Sequence, residues 1–118
     1  MRIYIAGALS SKEKTDRTPS QVVTDYISNV HKMCKVASEV AKLGHAPFVP
    51  ALDFLLGVTS GDWGENIYRS ISLSFLEVCD AILIISMSHG VQVELNFAHK
   101  LNMPVYYSVE TLPVVENK

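Results

Sequence analysis

The chain has 118 residues, of which 48% are hydrophobic and 19% are charged, and its formal net charge is −2. This length and composition predict one globular domain over residues 1–118, large enough to bury a real core. The small negative charge argues against a nucleic-acid polymer or an anionic membrane as a partner. Cys34 and Cys79 lie in apolar helical patterns without zinc-site spacing, which indicates reduced core residues and no bound metal.

The apolar runs and the start of the sequence indicate where in the cell the protein is located. The longest apolar run is far shorter than the ~20 residues of a membrane span. Charged residues follow the first apolar segment, so the chain lacks the pattern of a signal peptide. We therefore expect a cytoplasmic protein.

The first half of the chain predicts a strand, a long loop, a helix and a second strand. Residues 2–6 are rich in β-branched and aromatic side chains, as in a central strand buried on both faces. The polar residues 7–21 predict a long loop. Apolar residues then recur at helical spacing from Val23 to Ala41, and Gly44 predicts the helix end. Residues 46–50 predict a short strand, and their two prolines suit an edge position.

The second half continues the alternation of helices and strands. Residues 51–64 contain three glycines and predict a second loop region. Beyond it, apolar patterns predict in turn helix, strand, helix and strand over Glu65–Cys79, Ala81–Ile85, Val91–Leu101 and Val105–Ser108. The tail from residue 109 has no clear periodicity.

This order of elements predicts an α/β fold with a parallel sheet and right-handed crossovers. The expected architecture is a three-layer sandwich of flavodoxin-like or Rossmann-like type, with strand order 2-1-3-4. After the first strand the chain reads Gly7-Ala8-Leu9-Ser10, which is not the dinucleotide-binding pattern of glycines. No cofactor is therefore expected.

The helix predicted over residues 65–79 is apolar on more than one face. A helix that covers one sheet needs only one apolar stripe. The additional apolar residues predict burial against another subunit, in a homodimer or a higher homo-oligomer.

Glu94 is the first candidate for a functional residue. It is predicted to lie in the first turn of a helix that starts at the carboxyl end of a buried strand. Parallel sheets bind ligands at that end of their strands, so a carboxylate there can face a small molecule. Alternatively, Glu94 only complements the dipole of its helix.

Three segments of the chain together resemble a known family. The first strand ends in Tyr4-Ile5-Ala6-Gly7, and the third strand reads Cys79-Asp80-Ala81-Ile82-Leu83-Ile84. The pattern Ser88-x-Gly90-x-x-x-Glu94-x-x-x-Ala98 follows, and then Pro104-Val105. These segments resemble the nucleoside 2-deoxyribosyltransferase superfamily and its small 2'-deoxynucleoside 5'-phosphate N-hydrolases, and the resemblance covers residues 2 to 107.

The resemblance implies a nucleoside or nucleotide substrate and a set of roles. Glu94 matches the glutamate that attacks the anomeric carbon, and Tyr4 matches a tyrosine that contacts this nucleophile and the sugar. Gly7 matches a glycine whose backbone lies against the ligand. Ser88 matches a serine that binds the 5'-phosphate beside the turn at Gly90. The family also implies a homo-oligomer in which a neighbouring subunit completes the pocket.

The chain departs from the family pattern at two positions. Family enzymes carry an aspartate eight residues before the acidic residue that opens the third strand; counted from Asp80, this position is Ser72. The phosphohydrolases carry an arginine three residues after the first-strand glycine; here it is Ser10, which with Ala8 remains a candidate substrate contact. The second loop could supply the missing acid from Asp53, Asp62 or Glu65. The first loop could supply phosphate contacts from Lys12, Lys14 or Arg17.

Three functions remain open from the sequence. The first is N-glycosidic bond cleavage or base exchange on a deoxynucleoside or its 5'-monophosphate, because a carboxylate stabilises the positive charge that builds up on the sugar. The second is a catalytically inactive nucleotide-binding protein of the same fold. The third is an interaction domain without a ligand, which the set of Tyr4, Gly7, Ser88 and Glu94 disfavours.

Overall fold

The structure is a computed structural model that describes residues 1–9 and 16–115. The candidate residues Ser10, Lys12 and Lys14 lie outside the described residues. Strands and α-helices alternate along the described chain in the order β1 (Arg2–Ala6), α1 (Pro19–Lys42), β2 (Ala46–Phe48), α2 (Phe54–Ser60), α3 (Glu65–Glu77), β3 (Ala81–Ile84), α4 (His89–Lys100) and β4 (Val105–Tyr106).

The four strands form one parallel sheet in the order β2-β1-β3-β4, which confirms the predicted topology. β1 is central, and its residues from Ile3 to Ala6 are completely buried. Tyr4 lies opposite Phe48 of β2 on one side and Ile82 of β3 on the other. A strand enclosed in this way must be apolar on both faces, as the first strand is.

Helices cover both faces of the sheet and divide the core into two clusters. Alternate residues of β1 point to opposite faces. Ile3 and Ile5 pack against α1, while Tyr4 and Ala6 pack against α3 and α4. The result is the predicted three-layer sandwich, and it places Tyr4 on the same face as α4.

The long loop predicted over residues 7–21 ends earlier than expected, because α1 begins at Pro19. Thr18 accepts a hydrogen bond from the backbone N–H of Gln21 at 3.2 Å, and the Gln21 side chain accepts one from the backbone N–H of Thr18 at 2.8 Å. This reciprocal cap, with proline at the first helical position, is a start signal that the hydrophobic pattern alone did not show.

The prediction of a loop over residues 51–64 is also partly wrong. It contains a 3₁₀ helix at Pro50–Asp53 and the α2 helix, which ends at Gly61 with a φ of +81°. Both segments are too short to show a helical period. The second, third and fourth strands end earlier than predicted, at Phe48, Ile84 and Tyr106.

The cysteines differ in burial from the prediction. Both are free thiols, but Cys34 is exposed and Cys79 is only half-buried. α1 buries Met33, Ala37 and Val40. Cys34 follows Met33 by one residue, about 100° around the helix, so it points away from the core.

Candidate active site

The side chains of Tyr4 and Glu94 meet on the face of the sheet covered by α3 and α4. The Tyr4 hydroxyl donates a hydrogen bond to Glu94 Oε2. Tyr4 is fully buried in the middle of the central strand, whereas Glu94 is only half-buried. The pair therefore joins a fixed position in the core to a carboxylate that is only partly shielded from solvent.

Glu94 lies further along its helix than the sequence predicted. α4 begins at His89, so Glu94 is in its second turn and no acidic residue occupies the first turn. The favourable effect of the helix dipole on a carboxylate fades beyond the first turn. An interaction with the helix dipole therefore does not explain why a glutamate occupies this position. Its hydrogen bond with Tyr4 does.

Burial sets the protonation of both partners. It raises the pKa of the Glu94 carboxyl, while the hydrogen bond from Tyr4 and the positive charge of Arg69 act in the opposite direction. Burial, together with the Glu94 charge, raises the pKa of the Tyr4 hydroxyl well above its ordinary value. Tyr4 therefore keeps its proton and is the donor in the contact.

Ser72 reaches the same group of side chains from α3. Its side chain lies close enough to the Tyr4 hydroxyl to lower the Tyr4 pKa, against the larger effects of burial and of the Glu94 charge. Ser72 therefore lies beside the Tyr4–Glu94 pair. Here it contributes a hydroxyl, which is no acid at neutral pH.

Arg69 is a component that the sequence reasoning missed. It lies one helical turn before Ser72 on α3 and forms an ion pair with Glu65 at 2.9 Å. Its charge acts on Glu94 and favours the ionised carboxylate. The sequence did contain an indication of this role. Arg69 is three residues from Ser72, and this spacing places both side chains on one side of the helix.

Ser88 and Gly90 form the start of α4. The Ser88 hydroxyl oxygen accepts a hydrogen bond from the backbone N–H of Val91 at 3.2 Å, which makes it the N-cap of the helix. A Cβ at Gly90 would meet only Ser88 Oγ, at 3.9 Å. Packing does not require glycine at this position, and the backbone there lies open.

Packing, by contrast, accounts for Gly7. A Cβ at this position would lie 2.6 Å from Met33 Cε and 2.7 Å from Ile85 Cγ1. Only glycine lets the end of β1 pass these side chains. The next residue, Ala8, donates its backbone N–H to Ser86 Oγ at 2.8 Å, which ties the end of β1 to the end of β3.

Of the three candidate acids, Glu65 forms the ion pair with Arg69, while Asp53 and Asp62 differ in their surroundings. Asp53 ends the 3₁₀ helix that follows β2, at the carboxyl edge of the sheet. Its Oδ2 atom is buried and has no hydrogen-bond partner among the described residues, and burial raises its pKa. Asp62 is exposed and accepts a hydrogen bond from the Ser60 hydroxyl. Asp53 is therefore the carboxyl better suited to hold a proton.

Two other candidates have structural partners. The Arg17 guanidinium forms an ion pair with Asp25 at 2.6 Å, so it is engaged in tying the start of α1. Trp63 packs edge-on against Tyr68 of α3, with 5.3 Å between the ring centroids. This contact holds the indole ring against α3.

Two further properties concern the part of the chain that the structure describes. Within residues 1–9 and 16–115, every helix is too short or too polar to cross a membrane. In the same residues, no three His, Cys, Asp or Glu side chains come together in a way that could hold a metal ion.

Comparisons with known proteins do not assign a function to this chain. No family model matches the chain, and neither a curated protein nor a solved structure matches it. The function of this protein must therefore be inferred from the geometry of Tyr4, Glu94 and their neighbours.

Proposed function

We propose that this protein cleaves the N-glycosidic bond of a deoxynucleoside or deoxynucleoside 5'-monophosphate, either by hydrolysis or by base exchange. Glu94 is the nucleophile and Tyr4 is the group that holds it. The proposal agrees with the family resemblance of the sequence, which assigns the same two roles to the same two residues.

The contact between Tyr4 and Glu94 is the observation that carries the proposal. A carboxylate on a helix that faces a buried strand is unusual unless it is paired. Here a neutral phenol binds one of its oxygens. The other oxygen remains for a reacting carbon, and the hydrogen bond fixes the direction in which it points.

The reaction follows from the charge that develops on the sugar. As the bond from the anomeric carbon to the base nitrogen breaks, positive charge builds up on the ring, and a carboxylate beneath it stabilises this charge. Glu94 then bonds to the anomeric carbon while the bonding electrons leave with the base. Water or a second base afterwards attacks the same carbon and releases Glu94 as a carboxylate.

The leaving base needs a proton, and Asp53 is the proposed donor. Its carboxyl has a raised pKa because it is buried, and its Oδ2 atom has no partner among the described residues. It follows β2, which pairs with the strand that carries Tyr4. Ser72 does not fill this role, since a serine hydroxyl is not an acid at neutral pH.

Ser88 is the proposed contact for a 5'-phosphate. Its oxygen accepts a hydrogen bond from the backbone of α4, which leaves the hydroxyl hydrogen for an anion. The backbone N–H groups at the start of a helix of this length attract phosphate as well. Gly90 keeps the approach to these groups free of a side chain.

A specific observation favours a second function, that of a nucleotide-binding protein without catalytic activity. Ser72 stands where the related enzymes carry an acid. With a hydroxyl in that position, the site keeps the shape that binds a sugar but loses one proton donor. Activity then depends on whether Asp53 replaces the missing group.

The proposal extends to partners and location. α3 exposes Ile67 and, at its end, Val78, which lie on one side of the helix and suit contact with a second copy of the chain. The free thiols of Cys34 and Cys79 suit a reducing compartment such as the cytoplasm.

The decisive experiment measures free base released from a panel of deoxynucleosides and their 5'-monophosphates, with wild-type protein and Glu94→Gln. The amide keeps the shape of the side chain but cannot bond to the sugar or neutralise it. We expect base release in the wild type and a loss of several orders of magnitude in the variant. Glu94→Ala should recover some turnover when formate or azide is added, because a small anion fills the space.

The matched control is Glu39→Gln, which makes the same chemical change at an exposed position of α1. Its turnover should equal that of the wild type. Unchanged turnover in Glu94→Gln would remove Glu94 from the mechanism. Saturable nucleotide binding without base release in the wild type would instead establish the inactive binding protein.

A further inference from the structure

A cleft of about 430 Å³ opens at the carboxyl edge of the sheet, on the face covered by α1. Its base lies at Ala8 and Ser86, which follow β1 and β3. Its wall is formed by successive turns of α1, from Asn29 to Val36. A volume of this size is in the range of small-molecule sites, roughly 300–1,000 Å³.

The cleft lies at the point where the chain path reverses across the sheet. β1 leads through α1 to β2 on one side, whereas β3 leads through α4 to β4 on the other side. The connections therefore diverge between β1 and β3, and a crevice forms outside their carboxyl ends. Open α/β sheets bind ligands at this switch point.

Among the described residues, the charged groups that line the cleft are positive. They are Lys32 and Lys35 of α1, and no described acidic side chain lines it. Neither lysine forms an ion pair with a described residue. Because the chain as a whole has a net charge of −2, this local excess of positive charge is not a consequence of composition.

Polar and apolar groups complete the lining. Ser86 Oγ accepts from the backbone N–H of Ala8 at 2.8 Å, so its hydroxyl hydrogen is left to donate. The Asn29 side chain donates to the backbone carbonyl of Leu9 at 3.0 Å, which holds it at the rim. Val36 and Ile85 add apolar surface.

The cleft is separate from the Glu94 carboxylate. Glu94 contacts Tyr4 on the face covered by α3 and α4, and the cleft opens toward α1 on the other face. A ligand in the cleft therefore does not need the nucleophile, and the inference does not depend on the proposed function.

We propose that this cleft binds a phosphorylated small molecule. The phosphate lies between the Lys32 and Lys35 ammonium groups and accepts a hydrogen bond from Ser86, and an apolar part of the ligand lies against Val36 and Ile85. Two lysines three residues apart on one helix approach a single doubly charged anion from the same side. Lysine binds phosphate as a compact point charge, with no requirement for a planar partner.

The test uses inorganic phosphate and NMR of the full chain at constant ionic strength. Saturable shifts should appear at the amides of Ala8 and Ser86 and along the middle of α1. Lys32→Gln and Lys35→Gln should each weaken phosphate binding about tenfold, as expected for the loss of a hydrogen bond between charged groups. Both lysines are exposed on a helix, and glutamine favours helix about as well as lysine, so the variants should fold.

Two variants serve as controls. Lys100→Gln removes the same charge from an exposed position of α4 outside the cleft and should leave phosphate binding unchanged. Glu94→Gln should also leave it unchanged. Phenyl phosphate should bind more tightly than inorganic phosphate, and phenol should not displace it.

Several results would overturn the proposal. They are the absence of saturable shifts, shifts confined to the start of α4 near Ser88, or equal weakening in Lys100→Gln and the cleft variants. Tighter phosphate binding in Glu94→Gln, which removes a negative charge, would likewise assign the anion to the other face of the sheet.

Discussion

The Tyr4 hydroxyl donates a hydrogen bond to the Glu94 carboxylate, although the two residues are 90 positions apart in the chain. Tyr4 comes from the central strand and Glu94 from the second turn of the last long helix. The contact places a half-buried carboxylate against a fully buried phenol, and three of the predictions below concern this pair or the neighbouring Ser72.

The pH dependence of stability should reveal the burial of Glu94. Its folded-state pKa is raised, so the folded protein binds the Glu94 proton more tightly than the unfolded chain does. The contribution of Glu94 to stability is therefore fully present below the unfolded pKa of about 4.3 and is lost as the pH rises through the folded pKa. Glu94→Gln should melt at a higher temperature than the wild type at pH 7, and this advantage should disappear near pH 4. A variant that melts at a lower temperature at pH 7 would contradict the expectation.

Tyr4→Phe should change both stability and the pH profile of base release. It removes the donor that lowers the Glu94 pKa, so the acidic limb of the profile should move to higher pH. The carboxylate also loses its partner, which should cost about 1–3 kcal/mol of unfolding free energy. Tyr107→Phe, at an exposed position, is the control and should change neither quantity. An unmoved acidic limb would show that Tyr4 does not tune the nucleophile.

Ser72→Asp should increase base release. The serine already faces the Tyr4 hydroxyl, so an aspartate there would place a carboxyl beside the reacting groups. A positioned general acid contributes roughly 10²–10⁴-fold to such reactions. Ser72→Asn has nearly the same shape but no acid, and it should give no increase. An equal response of the two variants would show that shape and not proton donation limits the reaction.

Gly7→Ala should destabilise the fold by about 1–3 kcal/mol, because its methyl group would overlap Met33 and Ile85. The end of the Met33 side chain can move aside, whereas Ile85 Cγ1 lies close to its backbone and cannot. The cost should therefore shrink when the same change is made in an Ile85→Ala background, as measured by denaturant unfolding. Gly64→Ala has open space around the added atom and should cost less than about 1 kcal/mol.

Self-association should depend on the outer side of α3. Sedimentation at micromolar concentration should show a dimer for the wild type and a monomer for the double variant Ile67→Lys and Val78→Lys. Ile27→Lys on α1 changes an apolar residue that is even more exposed than Ile67 and Val78, and it should leave the dimer intact. A wild-type protein that sediments only as a monomer would refute the expectation.

Much of the fold was readable from local patterns. The apolar run of residues 2–6 predicted a central strand, and the structure places β1 between β2 and β3. The prolines near residue 47 predicted an edge strand, and β2 lies at the edge. These features depend on which residues neighbour each other along the chain, because burial on two faces requires an unbroken apolar run.

The ends of the elements were harder to predict. The α4 helix starts at His89, two residues before the first apolar residue of its pattern, because Ser88 caps it. The segment of α2 is too short to show a period and was interpreted as loop. Capping and short helices depend on single hydrogen bonds, which a count of apolar residues does not register.

By itself, the sequence determined the parallel α/β topology and the candidacy of Tyr4 and Glu94, through apolar periodicity and the spacing of a few polar residues. Only the tertiary structure decided that these two side chains touch, that Ser72 and Arg69 join them, and that Gly7 is required by packing. It also placed Lys32 and Lys35 around a cleft at the switch point of the sheet. Contacts of this kind join distant segments, and their distances follow from the crossing of helices over the sheet, a relation in space that local sequence patterns do not contain.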